Sequence, residues 1–309
     1  MKYTVLIALM LAITACNKQT DSITANEPTQ VDHVIRVNMT YDRPMPHKAS
    51  AVTAVPNNVA PWVSGLFIID EQNQLLRGGL ELGDFKQIAT GIKSMAPLAR
   101  KNAAGIIMAQ TLDNTVTGYM EINDKGDYKD IPFVNAPQNI SGLCETSVLM
   151  EQRIYGYDKN KTYALEIINP SQNGRVESVE VESLPAPTNQ CLLAINDNDI
   201  ESVSTPKMAL NAAQLDHDAL IFTTHESLER PRLFLRKGGL TTAIDISGGL
   251  TTAAPTQIDS FTVIHNNLGG VLRNGAVLIT DNASERVIYV SLDLLNRRLD
   301  ESVSLPTQE

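Results

Sequence analysis

From residue 31 to residue 306 the chain alternates short apolar runs with polar turns. "SGLFIID" gives way to "EQNQ" and then "LLRGGLEL", and "AAGIIMAQ" gives way to "TLDN" and then "TVTGYMEI", which ends at "NDKGD". "RIYGYD" passes through "KNK" into "TYALEIIN", and the alternating "RVESVEVESL" follows "PSQNG". Later come "ALIFTTH", "RLFLRK", "GG", "LTTAIDIS", and finally "GAVLITD", "NASE" and "RVIYVSLDLL". Runs rich in β-branched and aromatic residues, bounded by Gly, Asn, Asp, Ser and Pro, predict strands joined by tight turns. Nothing before "DLLNRR" carries a helical period, so the expected class is all-β.

The most apolar runs, read as innermost strands, start near residues 65, 104, 143, 191, 219 and 275, with "DSFTVIH" (259–265) as a further run between the last two. Their spacing has the scale of a propeller blade, roughly 40–50 residues. About 275 residues then accommodate six blades, and a closed ring explains how so many strands avoid exposed edges without a helical layer. A large β-sandwich or β-helix is the alternative on spacing alone.

The N-terminus departs from this grammar. "MKYTVLIALMLAITAC" has one early cation, Lys2, an apolar stretch from Val5 to Ile13, and small residues before Cys16. The run is too short to span a bilayer and reads as an export signal. Ile13 to Cys16 resembles the lipobox of bacterial lipoproteins, which implies lipidation of Cys16, and Asn17 after it implies sorting to the outer membrane, facing periplasm or cell surface. The expected layout is a signal peptide at 1–15, a lipidated tether at 16–30 and a propeller domain at 31–309. The tether is polar and aperiodic, as a flexible linker should be. A formal charge of −10 disfavours nucleic acid or an anionic surface as partner, so the expected membrane contact is the lipid anchor.

The motifs, taken in order, resemble the β-propeller phytases, six-bladed secreted enzymes that remove phosphate from phytate. "SGLFIIDEQNQLL" is similar to that family's first blade, "AAGIIMAQTLDNTVTGYMEIN" to its second, and "GGVLRNGAVLITD" to its last. "SGLC" (141–144) matches a Tyr-Gly-Leu-Cys element except at Ser141, and "NQC" (189–191) matches a Glu-Gly-Cys element at the cysteine. The resemblance spans about residues 50–298 and is closest to the incomplete N-terminal propeller of two-domain members.

The same comparison exposes losses. Calcium takes six to eight oxygen ligands, so hydrolysis of this kind needs clustered carboxylates. The family's first acidic cluster falls on "HKASAVTAV" (47–55), its Glu-Gly-Cys glutamate on Asn189, and a further acidic pair near Lys207 and Ala209. A fourth element falls on "PTQID", leaving Thr256 at one acidic site and Asp259 at the other. Phosphate-binding positions carry Trp62 or Val63, Leu112 and Ser141. The resemblance therefore implies a catalytically degenerate binding or accessory module, with phytate, a catalytic phytase or an outer-membrane receptor as partner. No catalytic residue, metal site or cofactor is expected on this reading. An active calcium-dependent phytase is the second reading, with Asp199, Glu201, Asp245, Asp259 and Asp281 as its candidate carboxylates. An interaction propeller unrelated to phosphate is the third.

An unaided scan for chemistry agrees with the first and third. His33, His47, His217, His225 and His265 form no metal-ligand spacing. "NDNDIE" (196–201) lacks the glycine and glutamate of an EF-hand and reads as a hairpin turn. "RKGG" (236–239) and "GGVLRNG" (269–275) read as strand-joining turns. Cys144 and Cys191 each open an apolar strand; in an exported protein a disulfide between neighbouring inner strands is the first reading and two buried thiols the second.

Overall fold

The computed structural model describes residues 30–304 apart from 123–126, 132, 135–138, 147–152, 169–174, 188–189, 197–198, 217, 225–230 and 250–251. The expected signal peptide, Cys16 and all of the expected tether but Gln30 lie outside the described residues. So do Asn189, His217 and His225.

Six small sheets stand in a ring, forming a six-bladed β-propeller. Blade 1 comprises Ala49–Val55, Gly65–Asp70, Gln74–Gly79 and Lys86–Thr90, and blade 2 Ile92–Leu98, Ile106–Thr111, Val116–Glu121 and Tyr128–Ile131. Blade 3 comprises Gly142–Leu143, Arg153–Tyr157, Lys161–Ile168 and Arg175–Pro185, with Phe133–Val134 added in parallel at its rim. Blade 4 has, among the described residues, three strands, Glu145–Thr146, Leu192–Asn196 and Asp199–Ser202. Blade 5 comprises Ala209–Asp216, Ala219–Thr224, Arg232–Lys237 and Leu240–Ser247, and blade 6 Ser260–Ile264, Ala276–Asp281 and Arg286–Ser291. The N-terminal segment completes both: His33–Asn38 pairs in parallel with Leu240–Ser247, and Tyr41–Pro44 pairs antiparallel with Arg286–Ser291.

Strand alternation explains the ring. Successive side chains of a strand point to opposite faces of its sheet, and each blade face meets a neighbour. In blade 1, Leu66 and Ile68 pack toward blade 6, beside Leu278 and Tyr289. Phe67 and Ile69 pack toward blade 2, beside Ile107 and Ala109. A separate apolar core fills each of the six blade-to-blade interfaces in this way. Each large side chain so buried contributes about 1.5–3 kcal/mol.

This geometry corrects one expectation. Five of the six most apolar runs are the second strands of their blades, not the innermost; the run near 143 does hold first strands, Gly142–Leu143 and Glu145–Thr146. Gly65–Asp70 and Ala276–Asp281 are buried at every position, because a second strand has a hydrogen-bonded strand on each side and a neighbouring blade on each face. The first strands face the channel and mix in polar residues, so they read as weaker. "DSFTVIH", set aside as an extra run, contains the first strand of blade 6. "RVIYVSLDLL" is also not one strand: the strand stops at Ser291 and a helix runs from Leu292 to Ser304, burying Leu292 and Leu295 against blades 5 and 6.

Turn chemistry follows the residues. At "EQNQ" Asp70 Oδ1 accepts hydrogen bonds from the backbone N–H of Gln72 (2.9 Å) and Gln74 (2.8 Å), and Asn73 adopts φ 59°. At "GG" both Gly238 and Gly239 have positive φ, as a two-residue hairpin loop between Lys237 and Leu240 requires.

Candidate functional site: the axial channel

The first strands enclose a cavity of about 160 Å³ on the ring axis. Its polar wall is made of Ser50, Thr53, Asn211, Ser260, Thr262 and Gln190, with Met95, Pro97 and Phe261 among the apolar groups. Much of this polarity is already engaged. The Ser50 hydroxyl donates to Ile69 O (3.2 Å), Ser260 Oγ shares a hydrogen bond with Thr280 Oγ1 (2.9 Å), and Asn211 Nδ2 donates to Asp259 O (3.4 Å). Gln190 imitates a strand: its Nε2 donates to Ala212 O (2.7 Å) and its Oε1 accepts from Ala212 N–H (2.9 Å). The side-chain amide thus supplies the pairing that the first strand of blade 5 lacks at that level. The Thr53 hydroxyl is buried without a partner among the described residues.

Blades 3 and 4 take their first strands from a single run. Gly142 and Leu143 pair antiparallel with Tyr157 and Gly156 of blade 3, whereas Glu145 and Thr146 pair in parallel with Leu192 and Leu193 of blade 4. Cys144 lies at the switch and is joined to Cys191 by a disulfide, with a Cα–Cα distance of 4.6 Å. The expected bridge is therefore present. It pins the run at the one residue where it leaves one sheet for the next.

That switch also places Glu145 in the cavity wall, the single carboxylate lining it among the described residues. Removal from water raises its carboxyl to about 8. At neutral pH most copies are protonated, so the group acts as a neutral donor and acceptor. Sequence reading missed it, because a lone Glu after Cys144 belongs to no motif; the legible signal was a carboxylate two residues into a strand predicted to line an axis.

The candidate carboxylates of the active-enzyme reading line no common cavity as a metal-type group among the described residues, although Asp259 and Asp281 are neighbours in blade 6. Glu201 is exposed on the blade 4 hairpin with Asp199 at the other end of the strand. Asp245 pairs with Arg232 (2.5 Å). Asp259 accepts hydrogen bonds from Asn282 N–H (2.8 Å) and from Gln257 Nε2. Asp281, fully buried, accepts from Arg286 Nη2 (3.0 Å), Arg286 Nε (3.2 Å) and Thr256 N–H (3.0 Å). Thr256, at a position where the resemblance calls for an acid, thus takes part in a loop anchor. Among the described residues no three His, Cys, Asp or Glu side chains gather as a metal site. A second cleft of about 480 Å³ lies at the rim of blade 5, walled by Arg36, Asp245, Ser247 and Thr256.

The fold and its channel define the molecule as a six-bladed β-propeller. No family model and no curated protein matches the chain. Among solved structures it is similar to the N-terminal domain of Nup159, at 12% identity over 80% of this chain and 66% of that one, with a TM-score of 0.31. It is similar also to TolB from Acinetobacter baumannii, at 9% identity over 78% of this chain and 63% of that one, with a TM-score of 0.36. AofleA from Arthrobotrys oligospora aligns at 9% identity over 82% of this chain and 90% of that one, with a TM-score of 0.43. The chain spans just under two-thirds of the length of the first two. Such likenesses identify neither ligand nor activity.

Proposed function

We propose that the protein is an envelope-anchored, phytase-like propeller lipoprotein, lipidated at Cys16, which binds rather than hydrolyses and serves as an accessory module of phytate or phosphate acquisition. The observation that carries the non-catalytic part is the state of its carboxylates. Asp245, Asp259 and Asp281 are committed to scaffold contacts, and Glu145, alone in the channel wall, is held largely protonated. A calcium-dependent hydrolase requires several ionised carboxylates around one cavity. The motif order along residues 50–298 supports the link to phytate, and the lipobox supports the address. A second reading, an interaction propeller unrelated to phosphate, is favoured by the channel wall, which contains no Lys or Arg among its described residues to meet a polyanion.

One assay separates these. Purified protein is incubated with phytate and millimolar calcium beside an active phytase, and phytate binding is followed in parallel by titration calorimetry. The accessory reading expects binding heat without phosphate release. Calcium-dependent release would restore the enzyme, and neither heat nor release would favour the interaction propeller.

A further inference from the structure

The two faces of the ring differ. In each full blade the first and third strands run toward the same face, so the loops after them open there, and the remaining loops open on the other. On the first of these faces lie Val59, Trp62 and Val63, in the loop between the first and second strands of blade 1, and Val271, in the corresponding loop of blade 6. Trp62 is 76% exposed, Val59 63% and Val271 60%, although all three stand beside well-packed cores. The two loops meet: a Cβ on Gly269, two residues before Val271, would lie 3.0 Å from the Trp62 backbone N. Leu82, 84% exposed, and Leu240, 53% exposed, tip the loops between third and fourth strands on the same face. The opposite face has Leu112 exposed on blade 2, and Met208 and Leu210 where the chain enters blade 5, with no tryptophan among them.

The cluster is held rigidly. Asn57 forms a bridge with Ala104 of blade 2, Asn58 Nδ2 donates to Arg100 O (2.7 Å), and the Asn57 side chain accepts from the N–H groups of Val59 and Ala60. Burying fixed apolar tips costs little conformational entropy, since the loop is already ordered. Isolated exposed apolar residues are ordinary, whereas a contiguous apolar patch that includes a tryptophan marks a contact surface.

The chain itself indicates what lies beneath. Asp32 N–H donates to Thr241 O (2.8 Å) and its carboxylate accepts from Thr241 N–H (2.7 Å), which fixes the N-terminal segment at the turn between third and fourth strands of blade 5, on this same face. The segment leading back to Cys16 therefore leaves the ring where the apolar tips are. A polar linker of about 14 residues has an average reach of roughly 20 Å, less than the span of a propeller. A lipid on Cys16 would hold this face, not its opposite, toward the bilayer.

We propose that the loop face carrying Val59, Trp62, Val63 and Val271 rests in the headgroup layer of the bilayer to which the chain is tethered. The inference rests on the lipid-anchor part of the proposed function and deepens it: the anchor becomes one of two membrane contacts, and two together hold far more firmly than one. Tryptophan suits this depth, with an apolar ring and a polar N–H. The exposed charges beside the cluster are mixed, Lys101 and Arg273 with Glu81 and Asp84, so contact depends on insertion and little on anionic lipid. The ring is thereby oriented with its other face, and the mouth of the channel there, away from the membrane.

Trp62 is the only tryptophan in the chain, so its emission reports on this loop alone. Full-length lipidated protein is placed in vesicles of phosphatidylethanolamine with a minority of phosphatidylglycerol, and flotation, Trp62 emission and quenching by brominated lipid and by acrylamide are measured. The chain begun at Asn17, which keeps every described residue, is titrated with the same vesicles. The expected result is flotation of the lipidated form, with blue-shifted emission, quenching from the lipid side and protection from acrylamide. The Asn17 form should show the same shift at higher lipid concentration, and the exposed double variant V59S/V271S should partition roughly tenfold more weakly. Moving the probe to the other face (W62F/L112W) should leave it open to acrylamide. Flotation with Trp62 fully accessible to acrylamide would overturn the face proposal and leave the anchor standing. Failure to float would remove the anchor, and the face would then be decided by the Asn17 form: a shift on vesicles sustains it and no shift ends it. Trp62 accessible on protein-free vesicles yet protected in envelope fractions would replace the bilayer with a protein partner.

Discussion

Blades 6 and 4 solve one problem by different means. Blade 6 receives its outer strand from the other end of the chain, Tyr41–Pro44, and joins it through charge. Arg286 donates from Nη1 to Asp42 (2.9 Å) and from Nη2 to buried Asp281 (3.0 Å) and to Ala254 O (2.9 Å). Long ladders and cores on both sides, with Tyr289 stacked on Tyr41 at 4.4 Å, complete the seam. Blade 4 borrows a two-residue strand in parallel from the run that also begins blade 3, and among the described residues its core with blade 3 is small, six buried residues that include both cysteines. Its fixed point is covalent. Where ladder and core are extensive, a non-covalent seam suffices; where the shared strand is two residues long, a disulfide limits how far the sheets can part.

The largest effect is expected at the seam of blade 6. Arg286→Met leaves Asp281 buried and unpaired and should lower unfolding free energy by about 3–5 kcal/mol, read from the urea midpoint. Replacing the partner as well, R286M/D281L, should recover most of it, because the pair itself offsets a desolvation cost. A double variant as unstable as the single one would show that the hydrogen bonds to Ala254 and Asp42, and not the charge pair, close the ring.

Blade 4 comes next. Removing the bridge as C144A/C191A opens a loop of sequence separation 47 and should cost about 2–4 kcal/mol. The loss should be matched by wild-type protein in reductant. A loss below about 1 kcal/mol would mean that the ladder at Leu192 and Leu193, with the Gln190 amide on Ala212, is enough to hold the blade.

Glu145 gives a pH-dependent test of the same region. Its folded carboxyl titrates at about 8, above the unfolded value, so the folded state binds more protons over the intervening range and stability falls as pH rises through it. Below the unfolded value both states are protonated and the residue is neutral to folding. Glu145→Gln should therefore match wild type near pH 4 and exceed it by about 1–2 kcal/mol near pH 9, a discounted figure because the side chain borders water in the channel. Equal pH profiles for the two proteins would place the carboxylate in open solvent.

What was legible in the sequence follows the same division. Blades 1, 2, 5 and 6 announce themselves, because their second strands are buried on both faces and read as unbroken apolar runs such as "GLFIID" and "AVLITD". Those runs marked the blades correctly but named the wrong strand as innermost, since burial on two faces, not nearness to the axis, makes a strand apolar. The cysteines were legible because two strand-opening cysteines, in a chain whose N-terminus leads one to expect export, are expected to pair. The sharing of Gly142–Thr146 between two blades was not, since nothing in "SGLCET" states that its pairing partner changes at Cys144. Glu145 was missed for that reason: its place in the channel depends on the switch. A helical period was legible from "DLLNRR" on, but the point where the strand gives way to the helix was not, because "SLDLL" continues the strand in the same apolar key and burial of Leu292 and Leu295 against blades 5 and 6 decides it.

The smallest expected effect returns to blade 6, at the turn after Asp281. Glu285 adopts φ 47°, a left-handed conformation that favours glycine. The turn imposes it: Ser284 N–H donates to Asp281 O (3.2 Å), and Glu285 O accepts from Met45 N–H (2.7 Å), tying the turn to the segment that enters blade 1. Glu285→Gly relieves the crowding at Cβ but adds freedom to the unfolded chain, so the net gain should be about 0.5–1 kcal/mol. Asn73, at φ 59° in blade 1, should gain less from the same change, because asparagine already tolerates this region. If Glu285→Gly instead destabilises, the Glu285 side chain contributes more to the blade 6 seam than its backbone strain takes away, and the seam is charged on its outer edge as well as at Arg286.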